Sequence, residues 1–150
     1  MSKLINDTLS KSGQLGLLVC ENPTYLIGSY RDLKNVTTDE YIAYMAMVGD
    51  TMVKLNTGRV MLDLSEMKGF SLSLRAAAVN NVNKLVIAKA PYFVLAIIKG
   101  NDMFENLATQ TALKMALPLS SKFLAGKMFE NTEAERILAR KWLVEYPVSF

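Results

Sequence analysis

Short apolar runs alternate with longer amphipathic runs along almost the whole sequence, and this alternation limits the folds open to the chain. The apolar runs cover residues 15–21, 25–31, 59–64, 92–98 and 122–129. Helically spaced apolar residues fill the stretches that follow the last four runs. Parallel strands need long crossovers, which are usually helices. The order β-β-α-β-α-β-α-β-α therefore predicts an α/β domain with a mixed, mostly parallel sheet, an N-terminal β-hairpin and about four helices packed on it.

Capping signals indicate where three of these helices begin. A Thr or Asp stands three positions before a Glu at Thr37, Asp102 and Thr132, which is the spacing of a capping box. The helix after Thr37 has an apolar face that includes Gly49 and Val53. A glycine costs about 1 kcal/mol in a helix relative to alanine, so we expect close packing of this face on the sheet.

Length, charge and hydropathy set the domain organisation and the expected location. The 150 residues suit one domain at residues 15–146, with a weakly ordered lead-in at residues 1–14 and a tail at residues 147–150. No uncharged apolar run approaches the ~18 residues of a membrane span, and residues 15–20 are too few for a signal-peptide core. We expect no transmembrane segment. A single cysteine without an export signal favours the cytoplasm.

The composition also excludes several kinds of function. The chain has no histidine and one cysteine, Cys20, so His-based catalysis, His-ligated metals and Cys-rich zinc sites are excluded. We expect no metal, no cofactor and no enzymatic activity. The net charge is only +3 and the basic residues are scattered, so no nucleic-acid partner is expected. Cys20 lies in an apolar strand and is predicted to be buried.

Polar residues follow two of the predicted parallel strands. Asp63 and Ser65 lie where the strand over residues 59–64 ends, and Lys99 and Asn101 follow the strand over residues 92–98. Ligands of open α/β sheets bind outside the carboxyl ends of strands, so these four residues are candidate ligand or partner contacts. The alternatives are that Asp63 caps the next turn and that Lys99 is simply solvated.

Two stretches of the sequence carry a resemblance to a known family. The third strand and its helix read GRVMLDLSEMKGFSLSLRAAAVNNV, and the C-terminal part reads KMFENTEAERILARKWL. An Asp-Leu-Ser at a strand end, a short loop and a helix resemble the STAS domain. The aromatic-ended strand, polar turn, Ala-containing helix and Trp-Leu of the tail resemble its SpoIIAA-like subgroup. The resemblance covers residues 15–143 and implies a single STAS-like α/β domain.

The resemblance also implies a position for a regulatory phosphate. STAS anti-sigma factor antagonists carry a phosphorylated Ser in an Asp-Ser-Ser-Gly stretch, which falls here on residues 71–74. The phosphorylated position is Leu72, which has no hydroxyl, so the candidate phosphoacceptors are the flanking Ser71 and Ser73. A helix N-terminus there would favour a phosphate. The alternative is that one of the two serines is only the helix N-cap.

Three functions follow from these observations, in order of preference. The first is a non-catalytic, cytoplasmic, STAS-like interaction or regulatory module, whose partner is an unknown protein or a second copy of the chain. The second is a small-molecule or lipid carrier of the CRAL-TRIO type, which an apolar cavity would mark. The third is an enzyme that uses Asp63, Lys99 or Glu130. It ranks last because acid–base chemistry near pH 7 needs a strongly shifted carboxylate or lysine.

Overall fold

The computed structural model describes residues 3–148, with only the backbone for residues 3–7. Six strands form one sheet in the order β1-β2-β3-β4-β5-β6. The first three strands pair antiparallel, and β3 to β6 pair in parallel. The strands are β1 Lys3–Leu9, β2 Leu15–Glu21, β3 Tyr25–Tyr30, β4 Arg59–Asp63, β5 Phe93–Ile98 and β6 Phe123–Phe129. The predicted mixed α/β sheet is confirmed.

Four α-helices connect or follow the parallel strands. They are α1 Thr38–Leu55, α2 Leu72–Leu85, α3 Met103–Ala116 and α4 Glu133–Glu145. The predicted N-caps Thr37, Asp102 and Thr132 each accept a hydrogen bond from a backbone N–H in the first turn of their helix. None of the helices within residues 3–148 combines the length and apolar character needed to cross a bilayer.

The helices cover both faces of the sheet unequally. Each crossover from β3 to β6 moves to the next strand in the same direction, so right-handed connections place α1, α2 and α3 on one face. We call this the three-helix face. The last helix, α4, contacts β4, β5 and β6 and packs with the buried residues of the opposite face. Cys20 is buried on the α4 face, as predicted.

The glycine of α1 meets a helix and not the sheet. A Cβ on Gly49 would lie 1.8 Å from the carbonyl oxygen of Leu85, at the end of α2. The expected close packing is therefore present, but its partner is α2. Val53, predicted to share the apolar face, is 57% exposed. The buried face of α1 instead includes Tyr41 and Tyr44.

The N-terminal segment of residues 1–14 is the segment expected to be a weakly ordered lead-in, and its residues 1–2 lie outside the described residues. Residues 3–9 form β1, which pairs antiparallel with β2. The Glu40 Oε2 atom, in the first turn of α1, accepts hydrogen bonds from Ser10 Oγ at 2.6 Å and from Ser12 N at 2.9 Å. This contact fixes the turn between β1 and β2. At the other end, Val148 packs against the α4 face, and residues 149–150 of the predicted tail lie outside the described residues.

Candidate functional site

The predicted contact residue Asp63 is bonded within the chain. Arg136 Nη1, from α4, donates to Asp63 Oδ2 at 3.0 Å, and the Ser65 backbone N–H donates to Asp63 Oδ1 at 2.9 Å. Burial opposes ionisation of the carboxyl, but the hydrogen bonds from Arg136 and Ser65 outweigh it and lower the pKa of Asp63. Both carboxylate oxygens thus have partners, including the turn-capping contact that the alternative predicts.

The second predicted pair lies on the neighbouring strand. Lys99 Nζ donates to Glu130 Oε1 at 2.7 Å, so this lysine is paired across the ends of β5 and β6. Asn101 is exposed in the loop before α3. Within the described range, no three His, Cys, Asp or Glu side chains form a group that would hold a metal ion. Asp63 and Ser65 lie at the end of β4 and Lys99 and Asn101 at the end of the adjacent β5, and their role as ligand or partner contacts stays a prediction.

Ser71 and Ser73 lie at the start of α2, where the resemblance puts them. Ser71 Oγ accepts a hydrogen bond from the Leu74 backbone N–H at 3.2 Å, so Ser71 is the N-cap of α2. Ser73 is exposed in the first turn. The capping alternative is confirmed for Ser71, and phosphorylation of either serine stays a prediction.

An apolar cavity of about 210 Å³ lies between the three-helix face of the sheet and its helices. The described residues that line it come from strands β2 to β6, from α1, α2 and α3, and from the turn after α2, and none of them is charged. Their polar side chains are three tyrosines and one threonine: Tyr30, Tyr41, Tyr44 and Thr109. The lining is that of a pocket for an apolar molecule with few polar contacts.

The cavity leaves apolar side chains at the centre of the sheet incompletely covered. Leu62 and Leu95 occupy the middle of β4 and β5 on the three-helix face, where side chains are normally buried, yet both are only partly buried. The helix above this region, α3, buries a single residue, Leu113. A Cβ on Gly126 would lie 2.4 Å from Leu113 Cδ1, so Leu113 fits against the sheet where β6 has no side chain.

Three tyrosines close one side of the cavity. The Tyr30 and Tyr41 hydroxyl oxygens are 2.9 Å apart, and the Tyr44 hydroxyl donates to the carbonyl oxygen of Gly16 at 2.8 Å. The Tyr30 ring meets the other two edge to face. Burial raises the pKa of all three phenols, so they stay neutral and keep their protons.

A larger surface depression lies on the other side of the molecule. It measures about 530 Å³ between β6 and α4, and its lining includes Lys127, Glu135 and Lys141. This groove is shallow and lined partly by charged side chains. The cavity under α3 is therefore the better candidate for binding an apolar ligand.

The sequence pattern placed the candidate contacts at the carboxyl ends of the strands. Ligands of open α/β sheets bind outside these ends, at a reversal of strand order. The parallel strands β3 to β6 follow one another without such a reversal. The cavity lies instead beneath the helices. The signal that could have located it is the run of small residues at Thr109, Ala112 and Ala116, spaced to line the inner side of α3.

Comparison with known proteins identifies no relative. No protein-family model, no curated protein and no solved structure matches the chain. The function is therefore inferred from the shape and lining of the cavity.

Proposed function

We propose that the protein binds a small apolar molecule in the cavity beneath α3. The observation that carries this proposal is the partly open cavity of about 210 Å³ with an uncharged, largely apolar lining. A cavity of about 150 Å³ lined by aliphatic and aromatic side chains stays dry and binds benzene. The larger volume here suits a ligand slightly larger than benzene. A whole lipid is too large, although one end of a chain would fit.

The loose packing of α3 gives the ligand a route into the cavity. Apolar side chains gain free energy when a ligand covers them, and Leu62 and Leu95 are incompletely covered. Because α3 is held by few buried contacts, opening of this helix costs less than opening of α1 or α2. The protein thus acts as a carrier or sensor of its ligand and not as a catalyst.

Ethylbenzene is a suitable first probe, because it is slightly larger than benzene. Ligand at ten times its Kd stabilises a protein by about 1.4 kcal/mol, so we expect a clear rise in Tm by differential scanning calorimetry. Leu95→Trp fills the cavity and should abolish the rise. The matched control is Leu138→Trp on α4, where Leu138 is 51% exposed. The Tm of this variant should still rise with ethylbenzene.

Two outcomes would contradict this function. One is an unchanged Tm of the unmodified protein in saturating ethylbenzene. The other is an equal rise in Tm for the Leu95→Trp and Leu138→Trp variants, since a general solvent effect does not depend on the cavity.

The second candidate is a non-catalytic interaction module that self-associates. It is favoured by the start of α3, where Met103, Phe104 and Leu107 are 82%, 85% and 60% exposed. Contiguous exposed apolar side chains of this kind mark contact surfaces. Relationship to the STAS domain and a cytoplasmic location remain part of this proposal. Light scattering separates the two candidates, because ligand binding in the cavity does not require a second copy.

A further inference from the structure

The buried hydroxyl pair of Tyr30 and Tyr41 has more protons than acceptors. Each phenol carries one proton, and one of the two hydroxyls donates to the other over 2.9 Å. The second proton finds no acceptor among the described residues. Tyr30 and Tyr41 are only 9% and 3% exposed. Since an unpaired buried donor is costly, the pair favours any acceptor that the cavity can supply.

Tyr44 differs from this pair although it lines the same cavity. Its hydroxyl proton is used by the carbonyl oxygen of Gly16, 28 residues away in β2. Apart from the Thr109 hydroxyl on α3, the free donor of the cavity therefore belongs to Tyr30 and Tyr41 together. Either of them can supply it, because either oxygen can be the donor of the bond between them.

The charge of the lining restricts what kind of acceptor can enter. None of the described lining residues is a cation, so a carboxylate or phosphate would be buried without a counter-ion, which is strongly unfavourable. Arg75 stacks on Phe70, whose ring packs against both tyrosines, but the Arg75 guanidinium is already paired with Glu105. The acceptor must accordingly be a neutral oxygen.

We propose that the cavity selects a neutral apolar molecule with one hydrogen-bond acceptor, such as a ketone, aldehyde or ester carbonyl, which the Tyr30–Tyr41 pair binds. This inference rests on the proposed function and adds the chemical class of the ligand. It requires the carbonyl oxygen to lie against the hydroxyl pair and the apolar part to cover Leu62 and Leu95.

Three probes of similar size test the selection by isothermal titration calorimetry. Ethylbenzene has no acceptor, acetophenone has one neutral carbonyl, and benzoate has a charged carboxylate. We expect benzoate to bind at least about 50-fold more weakly than acetophenone, because its charge loses hydration without gaining a cation. Equal binding of benzoate and acetophenone would overturn the requirement for a neutral ligand.

The hydroxyl contact is tested by the ratio of the acetophenone Kd to the ethylbenzene Kd. The double variant Tyr30→Phe with Tyr41→Phe should raise this ratio about threefold to tenfold, the usual net worth of one hydrogen bond. Either single variant keeps one free hydroxyl and should leave the ratio within about twofold. Tyr25→Phe, buried on the α4 face away from the cavity, is the matched control and should leave the ratio unchanged. A purely structural role of the pair would alter the Kd of both ligands alike.

A measurement on the unmodified protein covers the case in which the double variant does not fold. In difference infrared spectra, the carbonyl stretch of bound acetophenone should lie below its position in hexane, as for a hydrogen-bonded ketone. A stretch at the hexane position, or an unchanged Kd ratio in the folded double variant, overturns the role of the pair while ethylbenzene still binds. Failure of both ethylbenzene and acetophenone to bind overturns the proposed function itself.

Discussion

The Asp63 carboxylate joins the end of β4 to α4. Its hydrogen bonds with Arg136 and Ser65 lower its pKa although burial opposes this. A lowered pKa means that folding favours the ionised form. The pair therefore stabilises the protein above about pH 4, the value of an unfolded Asp, and this stabilisation is lost as the pH falls through the lower pKa of the folded state.

Asp63→Asn tests this linkage, because it removes the charge but keeps an oxygen that accepts from Ser65. We expect the free energy of unfolding to fall by about 1 kcal/mol at pH 7, since Arg136 is partly exposed and its charge is screened. The difference should shrink as the pH is lowered to 3. Urea unfolding at both pH values measures it.

Glu130→Gln is the control for Asp63→Asn. It breaks the pair with Lys99, in which the glutamate side chain is 61% exposed, and should change the stability by less than about 0.5 kcal/mol. A deficit of the Asp63→Asn variant that stays constant from pH 7 to pH 3 would show that the charge of Asp63 is not what stabilises the fold.

The structural roles of residues whose hydrogen-bond partners are close in sequence were predictable. Ser71 and Thr37 cap their helices through N–H groups three residues away, and the pattern of residue types alone indicates this. Arg136 bonds to Asp63 across 73 residues, and Glu40 bonds to Ser10 across 30. Contacts between residues so far apart in sequence depend on how the helices pack. Local sequence patterns carry no information about this packing.

Helix α3 is attached to the rest of the molecule at few places. Leu113 fits against Gly126, Glu105 pairs with Arg75, and the Asn106 side chain exchanges two hydrogen bonds with the backbone of Gly100. The outer side of its first two turns is apolar and exposed. Among the three helices that line the cavity, we therefore expect local opening to cost least for α3.

Leu113→Ala removes the buried anchor of α3. We expect amide hydrogen exchange within residues 103–116 to accelerate by about 10- to 30-fold, because a buried Leu→Ala change costs roughly 2 kcal/mol and falls on this helix. Exchange within α1 should change much less. Hydrogen-exchange mass spectrometry resolves the two helices.

Leu107→Ala serves as the comparison for Leu113→Ala, since Leu107 lies on the same helix but is 60% exposed. In this variant, the rate of amide hydrogen exchange within α3 should stay within about twofold of the rate in the unmodified protein. Equal acceleration in α1 and α3 on Leu113→Ala would mean that Leu113 supports the whole three-helix face and not α3 alone.

Elements with their own periodicity and caps were predictable, and β1 was not. The helices and strands from residue 15 onward follow from apolar spacing and capping residues. Residues 3–9 read KLINDTL, a mixed pattern with little apolar alternation. This segment becomes a strand because the exposed edge of β2 offers it backbone partners.

At the scale of the whole molecule, the packing of the described residues leaves an apolar surface open around Phe104. If the chain self-associates through it, multi-angle light scattering should give a mass above the 16.7 kDa of one chain. Phe104→Ser should then shift the protein toward the monomer. Val53→Ser on α1, where Val53 is 57% exposed, should not. A monomer at all concentrations would contradict the interaction module and leave the cavity as the functional feature.

The sequence could predict the chemical character of the candidate site but not its position. Composition pointed away from metal and acid–base chemistry, and an apolar cavity is the feature expected of the carrier alternative, which stays a proposal. Its position depends on the gap that small residues such as Ala112 and Ala116 leave between α3 and the sheet. Gaps of this kind arise from the sizes of side chains that meet across elements, and no single segment encodes them.

The unbroken order of the six strands has a consequence for how the chain is made. Each strand pairs with the strand that precedes it in the sequence. Synthesis releases the N-terminal part first, so every strand that leaves the ribosome finds its neighbour already present. The sheet can grow from one edge to the other as translation proceeds, without waiting for a later segment to be inserted between strands already joined.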